Sequence, residues 1–318
     1  MLDQTIWNPF VLQHGPRSGR FLQSWEWGEF QRAAGETVRR ETFEEDGEIV
    51  GVAQWLDRKV PLLGTYAFCP KGPVIRKGEG RLEGLAQAGG KIFLRIEPEG
   101  GELLLRAKKS IDLNPANTLI TELTHSEDAL LAAMHEKTRY NIRVAGKHDL
   151  EIDLHHASFD DVWMLFGQTA QRGDFRLHSR SYYELMLRHL QTDGCRAFCA
   201  AAHKSGKPLA VAIMVDFGDT RTYLHGASSS EDRNLMAPYL LHWSLLKDAK
   251  ARGKHFYDWG GVALVGAPSD HPWSGISRFK RGFFGEEVAA PGTFDLVLQP
   301  ARYRLYAMSR AVVRALRH

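Results

Sequence analysis

Residues 195–226 read CRAFCAAAHKSGKPLAVAIMVDFGDTRTYLHG. Three runs in this stretch, Ala197–Ala202, Pro208–Asp216 and Thr220–Gly226, are rich in small, β-branched and aromatic residues. Ser205-Gly206 and Gly218-Asp219 separate them, and such pairs supply the backbone conformations of tight hairpin turns. The spacing predicts a three-strand antiparallel meander. Beyond it, Pro238 fits the first turn of a helix over Ala237–Ala251, and His255–Trp259 is a strand entering Gly260-Gly261. Before it, Leu150–Leu154 is a short strand, and Phe159–Gln171 and Ser181–Gln191 carry apolar residues at helical spacing. Phe294–Leu298 reads as a late strand and Tyr303–Leu316 as a helix.

The first half follows a similar plan. Ser24 caps a helix over Trp25–Ala34, and Gly35 ends it. Strands at Thr37–Phe43 and Glu48–Leu56 flank the turn Glu44-Glu-Asp-Gly47, and Leu62–Phe68 is a third. A helix at Gly80–Gln87 and a strand at Lys91–Ile96 complete it. Two units of helix, meander, helix and strand make the chain α/β (α+β), in the order of an acyltransferase domain of the GNAT type. The polar stretch Glu136–Asp149 is the expected boundary, dividing the chain into domains 1–145 and 146–318.

A chain of 318 residues fits two domains. With 43% hydrophobic and 25% charged residues it is globular rather than disordered. Its longest apolar run, Leu209–Val215, is seven residues, against about 20 for a membrane-spanning helix. The opening Met1-Leu-Asp-Gln-Thr5 lacks the basic and apolar regions of a secretory signal, so the expected compartment is the cytoplasm. A net charge of +3 excludes the strongly basic nucleic-acid binders. Residues 249–318 nevertheless hold 11 Lys+Arg against 5 Asp+Glu, which points to a localised anionic partner.

Cys69, Cys195 and Cys199 do not make a disulfide framework. Cys195, Cys199 and His203 lie four apart in a strand, hence about 13 Å from one to the next, too far for one metal ion. His155-His156 follows a strand and reads as a surface pair. Gly-x-Ser-x-Gly, a Walker A loop, His-Glu-x-x-His and Rossmann glycine spacing are all missing from the sequence, which disfavours the chemistries they serve.

Seven short segments together resemble the FemABX family of non-ribosomal peptidyltransferases, and they run in that family's order. They are Phe21-Leu-Gln-Ser-Trp-Glu-Trp-Gly28, Lys71-Gly-Pro-Val74, Lys137-Thr-Arg-Tyr-Asn-Ile-Arg143 and Tyr223-Leu-His-Gly-Ala-Ser228, followed by Arg233-Asn-Leu-Met-Ala-Pro-Tyr239, Tyr257-Asp-Trp-Gly-Gly261 and Arg278-Phe-Lys-Arg-Gly-Phe283. The resemblance implies tandem GNAT-like domains, the first binding a precursor and the second performing transfer. An aminoacyl group would move from aminoacyl-tRNA to an amine of a peptidoglycan precursor, UDP-MurNAc-pentapeptide or lipid II, in interpeptide bridge formation. Neither a cofactor nor a metal is implied. Staphylococcal-type members carry a long helical arm; with no heptad insert here, the chain resembles a compact, arm-less type. Residue by residue, the resemblance makes Phe279-Lys280 the catalytic pair. It expects a basic residue where Gln31 stands, with Arg32 adjacent, and an arginine where His178 stands, with Arg176 and Arg180 nearby. Tyr182, Glu97, Tyr223 and His225 match family positions for substrate.

The same residues can be read by their chemistry. Attack of an amine on an ester builds negative charge on oxygen, and a fixed cation aimed at that oxygen lowers the barrier. Lys280 fits, and its neighbours Arg278 and Arg281 are expected to lower its pKa. Glu97 is either a substrate or base carboxylate, or a strand-end group pairing with Arg95. Tyr182 and Tyr223 are either substrate contacts or core aromatics. Tyr223 and His225, two apart on a strand, should share a face. Arg139, Arg143 and Lys147, spaced by four, should share a helical face that meets tRNA or precursor phosphates, or simply water. Arg302, Arg304, Arg310, Arg314 and Arg317 on the last helix could meet tRNA or the anionic inner membrane face. The loop Ser228–Met236 has no glycine and carries Glu231 and Asp232, which disfavours the pyrophosphate of CoA. A CoA-dependent N-acyltransferase and a non-catalytic precursor- or tRNA-binding protein remain the alternatives. Oligomeric state is open, and a monomer is compatible with the arm-less form.

Overall fold

The computed structural model describes residues 3–76, 89–100, 106–173 and 177–315. The expected helix at Gly80–Gln87 and Arg176 lie outside these residues. The chain forms two compact units, Met1–Ala116 with Ala289–His318, and Asn117–Val288.

This division differs from a single cut at 145/146, and strand pairing gives the reason. Strand β7 (Asn117–Glu122) is antiparallel to β12 (Phe256–Gly261), which draws residues from 117 onward into the second sheet. Strand β14 (Phe294–Val297) is antiparallel to β5 (Lys91–Ile96), which returns the last segment to the first sheet. The stretch expected as a boundary is instead a helix, Glu136–Ala145, whose Thr138, Asn141, Ile142 and Ala145 are buried.

In the first unit, helices α1 (Gln4–His14) and α2 (Trp25–Ala33) precede strands β1 (Thr37–Glu45), β2 (Glu48–Val60) and β3 (Gly64–Cys69). Ser24 accepts from the Trp27 N–H and caps α2 as expected. The sheet order is β1-β2-β3-β5-β14-β6, with β6 at Lys108–Lys109 and β4 (Val74–Ile75) branching from β2. Arg95 makes a bidentate pair with Asp295 at 2.7 and 2.9 Å, stitching β5 to β14 inside the core. The Arg40 guanidinium lies 3.6 Å over Trp25 and bonds Gln54, Glu29 and the Trp25 carbonyl.

In the second unit the sheet order is β13-β7-β12-β11-β10-β9-β8. Here β8 is Glu151–Asp153, β9 Cys195–Lys204, β10 Lys207–Phe217, β11 Thr220–Ser228 and β13 Glu286–Ala289. Strands β9, β10 and β11 form the antiparallel meander that the opening stretch predicts. Four α-helices precede it: α3 (Glu127–Ala133), α4 (Glu136–Ala145), α5 (Phe159–Gly173) and α6 (Arg180–His189). After it come α7 (Ala237–Ala251) and α8 (Ser274–Gly282). One core lies between the sheet and the helices α4, α7 and α8. It is built on Leu119, Ile142, Met214, Leu241, Leu245, Trp259 and Phe283. The three cysteines are buried and none of them forms a disulfide.

Candidate active site

Strands β11 and β12 are parallel, but their ladder covers only Thr220–Thr222 against Phe256–Asp258. Strand β11 continues to Ser228 and β12 to Gly261. Both strands are bent where the ladder stops. Gly260 has φ +66, which an L side chain rarely adopts, and Asp258 accepts its N–H at 2.8 Å. The register of β12 against β7 gains a residue between Asp258 and Gly261, so this is a glycine-dependent bulge. A second bulge sits in β11: Ile213 faces His225 and Met214 faces Tyr223, leaving Leu224 as the extra residue.

The β11 bulge overturns the expectation that Tyr223 and His225 share a face. An inserted residue shifts the pleat by one, and the two rings leave on opposite sides. Tyr223 packs on His242 and Trp259 at 4.4 and 6.4 Å between ring centroids. His225 packs instead on Tyr183 and Phe166 at 5.5 and 6.2 Å. The Tyr223 hydroxyl and ring edge occupy the place that a Cβ on Gly226 would take, which explains a glycine inside this strand.

On the Tyr223 side stands Lys280, in the last turn of α8. It is 8% exposed, and its ammonium donates to the Gly261 carbonyl at 2.8 Å. The ammonium lies 5.6 Å from the centroid of the Tyr223 ring. Phe279 faces Tyr239, His242, Trp259 and Phe283, so its ring belongs to the wall of the site rather than to its polar centre. Burial lowers the Lys280 pKa to about 8, against an opposing pull from the Asp258 carboxylate. The direction agrees with expectation but the cause does not. Arg281 is turned away, bonded to Glu287 at 2.6 Å and to the Ala263 carbonyl, and Arg278 is exposed. Burial and the neighbouring Lys280 charge hold His242 down at about 3, so it is neutral at physiological pH; its Nδ1 lies 2.8 Å from the Tyr257 hydroxyl. The arrangement is one buried cation inside a cage of rings, beside a wedge between two parallel strands.

Sequence reasoning missed Tyr257, Trp259 and His242 as builders of this cage, and Asp258 as the carboxylate that acts on Lys280. The Tyr257-Asp-Trp-Gly-Gly261 segment was the available signal, because two glycines ending an aromatic strand mark a bulge.

The other named residues form separate groups. His178 stacks on Tyr182 at 4.2 Å, and both contact Tyr183, in the cluster that holds His225. Burial pushes His225 down to about 4, with His178 adding to the effect. Arg180 is occupied by Asp160 and by Glu184 at 2.8 Å. Of the three basic residues spaced by four, Arg139 bonds the carbonyls of Ala132 and Met134, closing the end of α3. Lys147 lies past the end of α4, so of these three Arg143 alone is an exposed cation on the helix. His155 is no surface group either: it lies 3.0 Å from Asp248.

In the first unit Gln31 is 3% exposed within α2, and Arg32 pairs with Glu29 at 2.5 Å. Glu97 does not pair with Arg95. Its two oxygens accept from the Lys71 and Asn114 N–H groups, the Asn114 amide and the Thr293 hydroxyl, at 2.7–3.1 Å. Four donors make it a brace for the loops at 71 and 114, with its hydrogen-bond-accepting sites filled.

Residues 190–310, which include the whole Lys280 cage, match the family model described as the FemAB family. Over that segment the chain is similar to the FemAB family. It is 24% identical to the lipid II:glycine glycyltransferase of Staphylococcus saprophyticus, covering 93% of this chain and 92% of that one. It is 23% identical to the enzyme of that name in Staphylococcus aureus strain USA300, with the same coverage. The S. saprophyticus alignment runs over 388 positions, more than the 318 residues of this chain, so that relative carries segments with no counterpart here. Among solved structures, the crystal structure of FemX superposes with a TM-score of 0.82 at 21% identity, over 96% of this chain and 98% of that one. A tandem GNAT protein from the clavulanic acid pathway superposes at 0.55 and 13%, over 92% and 93%. The fold is therefore the mixed α/β, tandem GNAT type.

Proposed function

We propose that this protein is an aminoacyltransferase that moves an aminoacyl group from aminoacyl-tRNA to an amine of a lipid-linked peptidoglycan precursor. The carrying observation is the Lys280 ammonium, fixed on the Gly261 carbonyl inside an aromatic cage and beside the open end of the β11–β12 ladder. The relatives' name, lipid II:glycine glycyltransferase, supports a lipid-linked acceptor and a small amino acid.

The chemistry follows from that placement. The neutral acceptor amine attacks the ester carbonyl, a C–N bond forms, and charge collects on the carbonyl oxygen. The ammonium donates to that oxygen in a site where rings have displaced water, so the interaction is stronger than in bulk solvent. Collapse breaks the ester C–O bond. The tRNA hydroxyl leaves with the proton that the amine gives up. Phe279 and Tyr223 hold Lys280 in place and keep its surroundings apolar.

The loop before α7 supports this reading over a CoA enzyme. Glu231 and Asp232 occupy it, both paired with Lys207, and such carboxylates repel a pyrophosphate. The deciding assay supplies a charged tRNA pool, or acetyl-CoA, with purified UDP-linked and lipid-linked precursors. Transfer from charged tRNA to the lipid-linked precursor is the expected result. Product from acetyl-CoA, with none from charged tRNA, would overturn it.

A further inference from the structure

The last helix, α9 (Pro300–Ala315), has two unlike faces. Tyr303 and Tyr306 face the first unit, packing on Phe93 at 5.2 and 4.9 Å, and the Tyr303 hydroxyl donates to Asp295 at 2.9 Å. Leu305, Met308 and Val312, spaced by three and four, form a stripe pointing away from those tyrosines. They are 53, 65 and 58% exposed. From Ala307 to Val312 every residue is exposed, so this half of the helix has water on all sides. Arg302 and Arg304 are exposed on either side of the stripe, and Arg310 is exposed on the tyrosine side. The sequence from Leu296 to His318 contains five arginines and no acid. The β2–β3 turn lies beside the start of α9, since a Cβ on Gly64 would stand 3.9 Å from Arg302. At its tip Leu62 is fully exposed, with φ +64.

We propose that the Leu305–Met308–Val312 face of α9, with the Leu62 turn beside it, rests on an anionic lipid surface. Charge decides among the partners that an apolar stripe could take. A second copy would set arginine against arginine, with no acid in the segment to pair with either. A nucleic acid would satisfy the arginines but leave three large apolar side chains in water. An anionic bilayer takes both: the apolar side chains enter the headgroup boundary, and the arginines extend their stems to the phosphates. No described helix is long and apolar enough to cross a membrane, so the contact is interfacial. The inference extends the lipid-linked acceptor reading, but it is measured without either substrate, so the two fail separately.

The test is co-sedimentation of the full chain with phosphatidylcholine vesicles, with and without phosphatidylglycerol. Binding should require phosphatidylglycerol and weaken with salt. The triple variant Leu305→Ser, Met308→Ser, Val312→Ser should lower partitioning by at least about ten-fold, and Arg304→Gln alone by about five-fold. Leu62→Asn should also weaken it. All these positions are exposed, so thermal unfolding of the variants should match the parent. Failure to bind anionic vesicles, or binding that the triple variant leaves unchanged, would overturn the proposal. A dimer in sedimentation velocity, or tRNA binding, abolished by the triple variant would overturn it too, assigning the face to a second copy or to nucleic acid.

Discussion

Lys280 and Gly261 stand nineteen residues apart, yet the lysine ammonium donates to the glycine carbonyl at 2.8 Å. The bond joins the last turn of α8 to the bulged end of β12 and fixes where the one buried cation of the cage sits. Lys280→Met keeps the length and apolar stem but removes the charge. Transfer should fall by about 10²–10³-fold, the loss seen when a single oxyanion donor is removed. Stability should hold or rise, because a buried charge costs desolvation. Single-turnover rates with charged tRNA and thermal unfolding measure the two effects. A variant within two-fold of the parent rate removes Lys280 from the chemistry.

The lowered pKa sets the pH response. The protonated lysine is the donor, so its contribution to the rate is complete below about 8 and is lost as pH rises through it. Asp258 pulls the other way, favouring the charged form. Asp258→Asn keeps an acceptor for the Gly260 N–H but loses that pull, so the break should move to lower pH. The profile of kcat against pH, read on the alkaline side, reports it. An unmoved break in Asp258→Asn would mean that another group titrates there.

These relationships also show where reading the sequence stops. The meander and the α7 helix were legible because their signals are local: alternation, turn pairs and a proline in the first turn. Helix α8 was not, since Gly275 and Gly282 give it poor intrinsic propensity and packing holds it. Lys280 stood out only through the family resemblance, because nothing within a few residues reveals that it meets Gly261. Glu97 invited pairing with nearby Arg95, whereas Arg95 takes Asp295, two hundred residues later. Tyr223 and His225 were misplaced by a single extra residue, Leu224, that no local pattern marks.

Gly226 provides a test of that bulge. Any side chain there meets the Tyr223 hydroxyl and ring edge. Gly226→Ala should therefore swing Tyr223 off the Lys280 ammonium and cut the transfer rate, while the meander, whose ladder uses backbone groups, still forms. Transfer rate and far-UV circular dichroism together distinguish displacement from unfolding. Full activity in Gly226→Ala would mean that Tyr223 does not hold the lysine.

Gly282 and Thr138 form a second close approach, between the end of α8 and the first turn of α4. The Thr138 hydroxyl fills the place of a Cβ on Gly282, and the His135 N–H donates to the Gly282 carbonyl at 2.9 Å. Gly282 is helical, so alanine is favoured there by propensity and opposed only by the collision. Gly282→Ala alone should destabilise by about 1–3 kcal/mol, as overpacking does. With Thr138→Ala the nearest remaining Thr138 atom is its Cβ at 3.6 Å, an ordinary contact. The double variant should then recover most of the loss, giving a coupling of the sign and size that touching residues show. Additive losses in denaturant unfolding would mean that the two residues do not meet. The same cycle read in transfer rate tells whether the seating of α8 on α4 sets the position of Lys280, two residues before the glycine.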